Sequence, residues 1–143
     1  MSDTNESLWN ASGRYVDVKE VGHGAQGEVF RAFDKELKRQ VAIKTARLDN
    51  QCETSAARFH QEILALSKLD HPNVVTLLEE GCVESHCFYV MEYVEGSDLM
   101  TYIEKERPPL EDVIQLFLTI CRALQAIHNE GVLHRDIKPE NIC

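Results

Sequence analysis

Short apolar runs separated by polar turns fill the first two-thirds of the chain, and their rhythm predicts strands. Tyr15–Val21 and Glu28–Ala32 flank the stretch Gly22-His23-Gly24-Ala25-Gln26-Gly27. A polar turn from Asp34 to Arg39 leads into a third strand, Gln40–Thr45, built on Val41 and Ile43. The period then changes. Phe59, Ile63, Leu66 and Leu69 recur at helical spacing within residues 55–69, and His71-Pro72-Asn73 ends that helix because proline restricts the residue before it. Val74–Leu78 and Cys87–Met91 predict two more strands, with Glu84-Ser85-His86 as the connecting turn.

After Gly96 the pattern is helical. Leu99–Lys105 predicts a short helix capped by Ser97 or Asp98 and broken by Pro108 and Pro109. Leu110–Glu130 predicts a long amphipathic helix. Its stripe is Val113, Leu116, Phe117, Ile120, Leu124 and Ile127, and Gly131 stands at its C-terminal end. A short apolar strand, Val132-Leu133, and a polar loop follow, where Pro139 is expected to prevent helix or ladder formation. The order describes an α+β chain: a five-stranded, mostly antiparallel layer carrying one helix, then the first helices of a second region. The crossing falls near Glu92 to Gly96, and the polar residues 1–13 read as a flexible lead-in.

Composition narrows the function classes. At 43% hydrophobic and 27% charged, the chain fits a globular protein rather than a disordered one. A net charge of −9 disfavours a nucleic-acid partner, which would need a basic footprint. No apolar run approaches the ~20 residues that cross a bilayer. The N-terminal residues lack the basic start and apolar core of a signal peptide, so the expected location is cytoplasmic. Five cysteines without CxxC spacing argue against a zinc site. All five are expected to be reduced thiols, with Cys121 a small core residue of the long helix.

The candidate chemistry lies in four places. Gly22-x-Gly24-x-x-Gly27 is either a phosphate-covering loop or a dinucleotide fingerprint, and the latter must run strand, loop, helix. Here Glu28–Ala32 is a β-type run, so the loop joins two strands. Lys44 ends the strand Val41-Ala42-Ile43-Lys44, 17 residues after Gly27, where it can reach under the hairpin. A lone lysine there is more often a solvent-reaching residue. Glu62, on the following helix, would alone be an exposed carboxylate. His134-Arg135-Asp136-Ile137-Lys138-Pro139-Glu140-Asn141 would alone be a polar surface turn. The conjunction of all four, in this order, defeats the bland reading of each.

These residues resemble the eukaryotic-type protein kinase family, over Arg14–Cys143. The resemblance implies a kinase-like fold with an N-lobe and hinge over residues 14–94 and the start of a C-lobe over 95–143. It implies ATP-dependent transfer of the γ-phosphoryl group to a serine or threonine hydroxyl of a protein, with Mg2+ as the metal. Gly22, His23, Gly24, Ala25, Gln26 and Gly27 then look like the glycine-rich loop, Val29 like the roof over the adenine and Ala42 like its small neighbour. Met91 resembles the gatekeeper, and the backbone of Glu92 and Val94 resembles the hinge that bonds the adenine edge. Asp98 takes the place of the ribose-binding carboxylate, and Lys44 with Glu62 that of the phosphate-holding ion pair.

In the octet, Asp136 looks like the catalytic base, Lys138 like the residue that steadies the transferring phosphoryl group, and Asn141 like a magnesium ligand. Lys138, two residues after Asp136, follows the Ser/Thr pattern. His134, Leu66 and Leu77 resemble members of the apolar column between the lobes. The run Asp34-x-x-Leu37-x-Arg39-x-Val41-Ala42-Ile43-Lys44 looks similar to bacterial eukaryotic-like kinases. The Asp-Phe-Gly motif and the activation segment do not occur in the 143 residues, so the isolated chain is expected to be inactive. Cys143 stands where the family usually places a leucine. The alternative from another class is a non-catalytic nucleotide-binding or scaffolding module. Arg135 and Lys138-Pro139-Glu140 are unlike the loop of small-molecule kinases.

Overall fold

The structure, a computed structural model, describes residues 13–24, 27–47, 60, 63–64, 66–83, 86–133 and 137–143. Five strands form one antiparallel sheet: β1 (Tyr15–Gly24), β2 (Gly27–Asp34), β3 (Arg39–Arg47), β4 (Leu77–Val83) and β5 (His86–Glu92). Their spatial order is β1-β2-β3-β5-β4. His60, Ile63, Leu64, Leu66 and Ser67 are helical. Two helices follow, α1 (Leu99–Glu106) and α2 (Leu110–Asn129), and a 3-10 turn at Pro139–Asn141. The sequence expectation of an α+β fold, with a five-stranded layer before a helical region, holds.

Alternation puts the apolar positions of the strands on one face. Ala32, Val41, Ile43 and Val90 are fully buried there with Tyr15, and Val18, Phe30, Leu78 and Phe88 pack against them. Each large aliphatic buried in this way contributes roughly 1.5–3 kcal/mol. A polar cluster borders the same core. Asp34, at 0% exposure, accepts hydrogen bonds from the Arg14 guanidinium (Nη2 to Oδ2, 2.7 Å) and from the backbone N–H groups of Glu36 and Leu37. Arg14 Nη1 also donates to Glu79 at 2.6 Å, and Tyr15 donates its hydroxyl to the same carboxylate. The Arg14 bond holds the Asp34 carboxyl below its ordinary range, and burial pushes the Tyr15 phenol up to about 12. Thus Asp34 both shapes the β2–β3 turn and anchors the start of β1.

β4 departs from expectation. Val74–Leu78 was the expected span, but the strand runs from Leu77 to Val83. Glu79-Glu80-Gly81 has the composition of a turn, yet each residue has a partner in the sheet. Glu79 meets Arg14, and Glu80 meets His60. Gly81 leaves room for the Phe88 ring, since a Cβ there would lie 2.6 Å from Phe88 Cζ. An irregularity between Leu77 and Glu79 takes up the extra residue.

The helical part begins at a cap. Asp98 accepts a hydrogen bond from the Thr101 N–H and starts α1. Acidic Glu111 and Asp112 in the first turn of α2, and His128 in its last, complement the helix dipole. Gly131, at φ 77, turns the chain in the left-handed conformation that follows many helices. On α2, Ala123 and Ile127 are buried, and Val113, Leu116, Ile120 and Leu124 are half-buried. Phe117, expected in that stripe, is 53% exposed, and Ile114, Leu118 and Leu110 are exposed beside it.

Four further expectations are corrected. Val132 is buried, but Val132-Leu133 is not a strand. Pro139 opens a 3-10 turn instead of preventing one, because its fixed φ and missing N–H suit a first helical position. Cys121 is exposed, and Cys87 is disulfide-bonded rather than reduced, with Cys82 as its Cα partner across the β4–β5 ladder. The described residues fall into two compact units, one reaching to Ile63 and including Leu77–Tyr93, the other made of Leu64–Thr76 and Val94–Cys143.

Candidate functional site

Directly opposed residues of an antiparallel pair project to the same face. The register therefore defines rows across the sheet. Gly22 pairs with Val29, Val29 with Lys44, Lys44 with Tyr89 and Tyr89 with Glu80. One step along, Arg31 pairs with Ala42, and Ala42 with Met91. Period two then places Val29, Ala42, Lys44 and Met91 on one face, opposite the apolar core. Ala42 is 6% exposed, and Val29, Lys44 and Met91 are half-buried. Tyr89 stands between Lys44 and Glu80, and burial pushes its phenol up to about 12.

At the end of this face the β1–β2 hairpin closes with Gly24 opposite Gly27. Gly27 has φ 131, a backbone conformation that side chains with a Cβ rarely adopt. The hairpin edge at Gly22, Gly24 and Gly27 is thus bare backbone. His23 is 72% exposed, with Nδ1 3.6 Å from Glu20 and 3.8 Å from Glu28. Glu92 ends β5 opposite Val41, and the Arg31 guanidinium lies 5.8 Å from the Tyr93 ring centre.

The second unit holds the other described candidates. The Leu99 N–H donates to the carbonyl of Ile142 at 2.8 Å, which ties the start of α1 to the turn that carries Asn141. That turn is closed by the N–H of Asn141 on the Lys138 carbonyl and the N–H of Ile142 on that of Pro139. Asp98, one residue before Leu99, uses Oδ1 for the Thr101 N–H and Oδ2 for the Thr101 hydroxyl. Those bonds keep its carboxyl below the ordinary range. Lys138, Asn141 and Val94 are exposed.

Ala25, Gln26, Glu62, His134 and Asp136 lie outside the described residues. Asp98, one of the two caps the sequence offered, is the cap observed. The sequence reading did not reach Tyr89 and Glu80 in the row of Lys44, since only the register shows them as neighbours.

Comparison with known proteins identifies the family. The protein kinase domain family matches residues 15–143. The chain belongs to that family. It is 38% identical over 132 residues to the probable serine/threonine-protein kinase PknB of Lactococcus lactis, covering 90% of this chain and 21% of that protein. It is 38% identical over 133 residues to the serine/threonine-protein kinase PrkC of Bacillus subtilis, covering 92% and 20%. The chain thus spans about a fifth of the length of these relatives. The kinase domain of Mycobacterium tuberculosis PknI has the same fold, with a TM-score of 0.72 at 24% identity over 89% of this chain and 54% of that one. The expected resemblance to eukaryotic-type Ser/Thr kinases, including bacterial ones, is borne out. No helix among the described residues is long and apolar enough to cross a membrane.

Proposed function

We propose that this chain supplies the nucleotide-binding half and the catalytic loop of a protein serine/threonine kinase, which transfers the γ-phosphoryl group of ATP to a protein hydroxyl. The observation that carries the reading is the sheet face on which Val29, Ala42, Lys44 and Met91 share adjacent rows beside the glycine hairpin. Val29, Ala42 and Met91 offer an apolar bed for a base, and Lys44 offers a cation one row from it. The hairpin's bare glycine backbone suits close approach by phosphates.

The donor set fits ATP and Mg2+. Bound ATP supplies the phosphoryl group, and Mg2+ neutralises charge on the phosphates. Lys44, paired with Glu62, orients the phosphates. Asp136 accepts the proton of the substrate hydroxyl, and Lys138 stabilises charge on the group in transit. Asn141 offers a carboxamide oxygen, a hard donor suited to a hard cation. Glu92 and Val94 bind the base through their backbone, and Asp98 binds the ribose.

The test is phosphoamino-acid analysis of a generic protein substrate after incubation with γ-labelled ATP, Mg2+ and the full-length protein. Phosphoserine or phosphothreonine is expected, and Lys44→Met should abolish it. Label in phosphotyrosine alone, or full activity in Lys44→Met, would contradict the reading.

A further inference from the structure

One contact on the sheet face of Val29, Ala42, Lys44 and Met91 has no part in the roles proposed above. The Arg31 guanidinium lies 5.8 Å from the centre of the Tyr93 ring. Arg31 pairs with Ala42 on β3, and Ala42 with Met91 on β5, so the arginine belongs to the same face. In the sheet order β3 lies between β2 and β5. A side chain from β2 that reaches Tyr93, the second residue after Met91, therefore crosses β3. The residue of β3 in that row is Ala42, whose single methyl group leaves the way open. Arg31 and Tyr93 are both half-buried. Among the described residues, no carboxylate pairs with Arg31. A guanidinium taken part-way out of water without a carboxylate is stabilised by the negative face of an aromatic ring.

We propose that Arg31 and Tyr93 are positioning residues for the base, whose stacking ties the strand that carries Val29 to the residue that follows Glu92. The inference rests on the kinase reading above, in which Val29 covers the base and the Glu92 backbone bonds its edge. Val29, Arg31, Glu92 and Tyr93 all belong to one compact unit, so the clasp is internal to it. Neither Arg31 nor Tyr93 has to touch the nucleotide. Their stacking fixes the spacing between cover and edge before the base arrives, and a slot set in advance needs less ordering on binding. The glycine hairpin and Lys44, which face the phosphates in that reading, lie in other rows. The effect therefore falls on affinity for the base and leaves the transfer step alone. Its signature is a raised KM for ATP at constant kcat, the mark of lost binding that ground state and transition state share.

The test uses the full-length protein and four variants: Arg31→Met, Tyr93→Leu, the double variant, and Tyr93→Phe. Turnover, KM for ATP, calorimetric affinity for adenosine and melting temperature are measured for each, with Lys44→Met as the control for the kinase reading. Arg31→Met and Tyr93→Leu are each expected to raise KM roughly two- to fivefold, the range of a cation over a ring at a partly exposed site. Turnover and melting temperature should stay nearly constant. Adenosine, which carries no phosphates, should lose affinity by the same factor. The double variant should be no worse than either single one, and Tyr93→Phe, which keeps the ring, should match wild type. Unchanged KM in both single variants, additive losses, or a loss for ATP that adenosine does not share would overturn the positioning role. So would Tyr93→Phe as weak as Tyr93→Leu, or a fall in turnover and melting temperature together. If Lys44→Met is fully active, or the wild type does not phosphorylate, the kinase reading fails and this role falls with it. Normal wild-type activity with any of the overturning results is the failure of this role alone.

Discussion

Leu99 and Ile142, far apart in sequence, are joined by a backbone hydrogen bond of 2.8 Å. Their immediate neighbours are Asp98 and Asn141, for which roles toward ribose and magnesium are proposed above. One bond thus holds the start of α1 beside the 3-10 turn at Pro139–Asn141. This clasp is local to the second unit and formed by main-chain atoms, so only a proline at position 99, which lacks the N–H, removes it directly.

Asp98 caps α1, and substitution can separate that cap from its proposed contact with ribose. Asp98→Ala removes the cap on the Thr101 N–H and should lower stability measurably in urea unfolding. Asp98→Ser keeps a capping oxygen and should stay near wild type in urea unfolding. Both variants should bind ATP roughly tenfold or more weakly, the loss expected for a hydrogen bond to a charged group. Calorimetric titration of the full-length protein checks this. ATP affinity unchanged in both variants would leave Asp98 a cap and nothing more.

Arg14 and Asp34 set an acid limit on the sheet. Their bonding lowers the Asp34 pKa, so its contribution is present above the unfolded carboxylate value, about 3.9. It is lost as pH falls through the lower folded value. Wild-type stability should therefore drop between about pH 4 and the acid extreme, and Asp34→Asn should flatten that drop. At neutral pH, Arg14→Ala strands a buried carboxylate and should cost about 3–5 kcal/mol. Urea unfolding across pH measures both effects.

Gly81 tests why β4 lies where it does. A Cβ at that position would meet Phe88 Cζ at 2.6 Å and Cε1 at 2.8 Å. Gly81→Ala should destabilise the sheet by about 1–3 kcal/mol, as overpacking does. Phe88→Leu in the same background should recover part of the loss in thermal unfolding.

The position of β4 marks the limit of what the sequence could say. The other strands, both helices and the glycine hairpin were legible because their apolar residues alternate or recur with a clear period. β4 was displaced because Glu79 and Glu80 look like solvent-facing turn residues until Arg14 and His60 are placed against them. Those partners stand 65 and 20 residues away, beyond any local pattern. The same holds for Asp34, whose burial depends on Arg14. The candidate residues stand out in the sequence because they sit in motifs, whereas the row joining Lys44, Tyr89 and Glu80 exists only in the register. Phe117 was assigned to a buried stripe by periodicity, and Cys121 to the core by its apolar surroundings; both report a helix's apolar character but not what covers it.

That exposed side has a consequence for the 143-residue chain by itself. Leu110, Ile114, Phe117 and Leu118 are 73%, 48%, 53% and 44% exposed along α2. An apolar strip of this kind favours association. Sedimentation of the purified chain should show oligomers, and Ile114→Glu with Phe117→Glu should shift it toward monomer. A monomeric wild-type chain at tens of micromolar would contradict this.

Among the proposed roles, that of Asp136 as the general base carries the most weight. The most direct measurement is phosphoryl transfer and ATP affinity, side by side, for full-length wild type and Asp136→Asn. The account predicts near-equal ATP affinity and a turnover lower by roughly 10²–10⁴-fold, the range for loss of a positioned general base. Turnover in Asp136→Asn within a few-fold of wild type, at equal affinity, would contradict it.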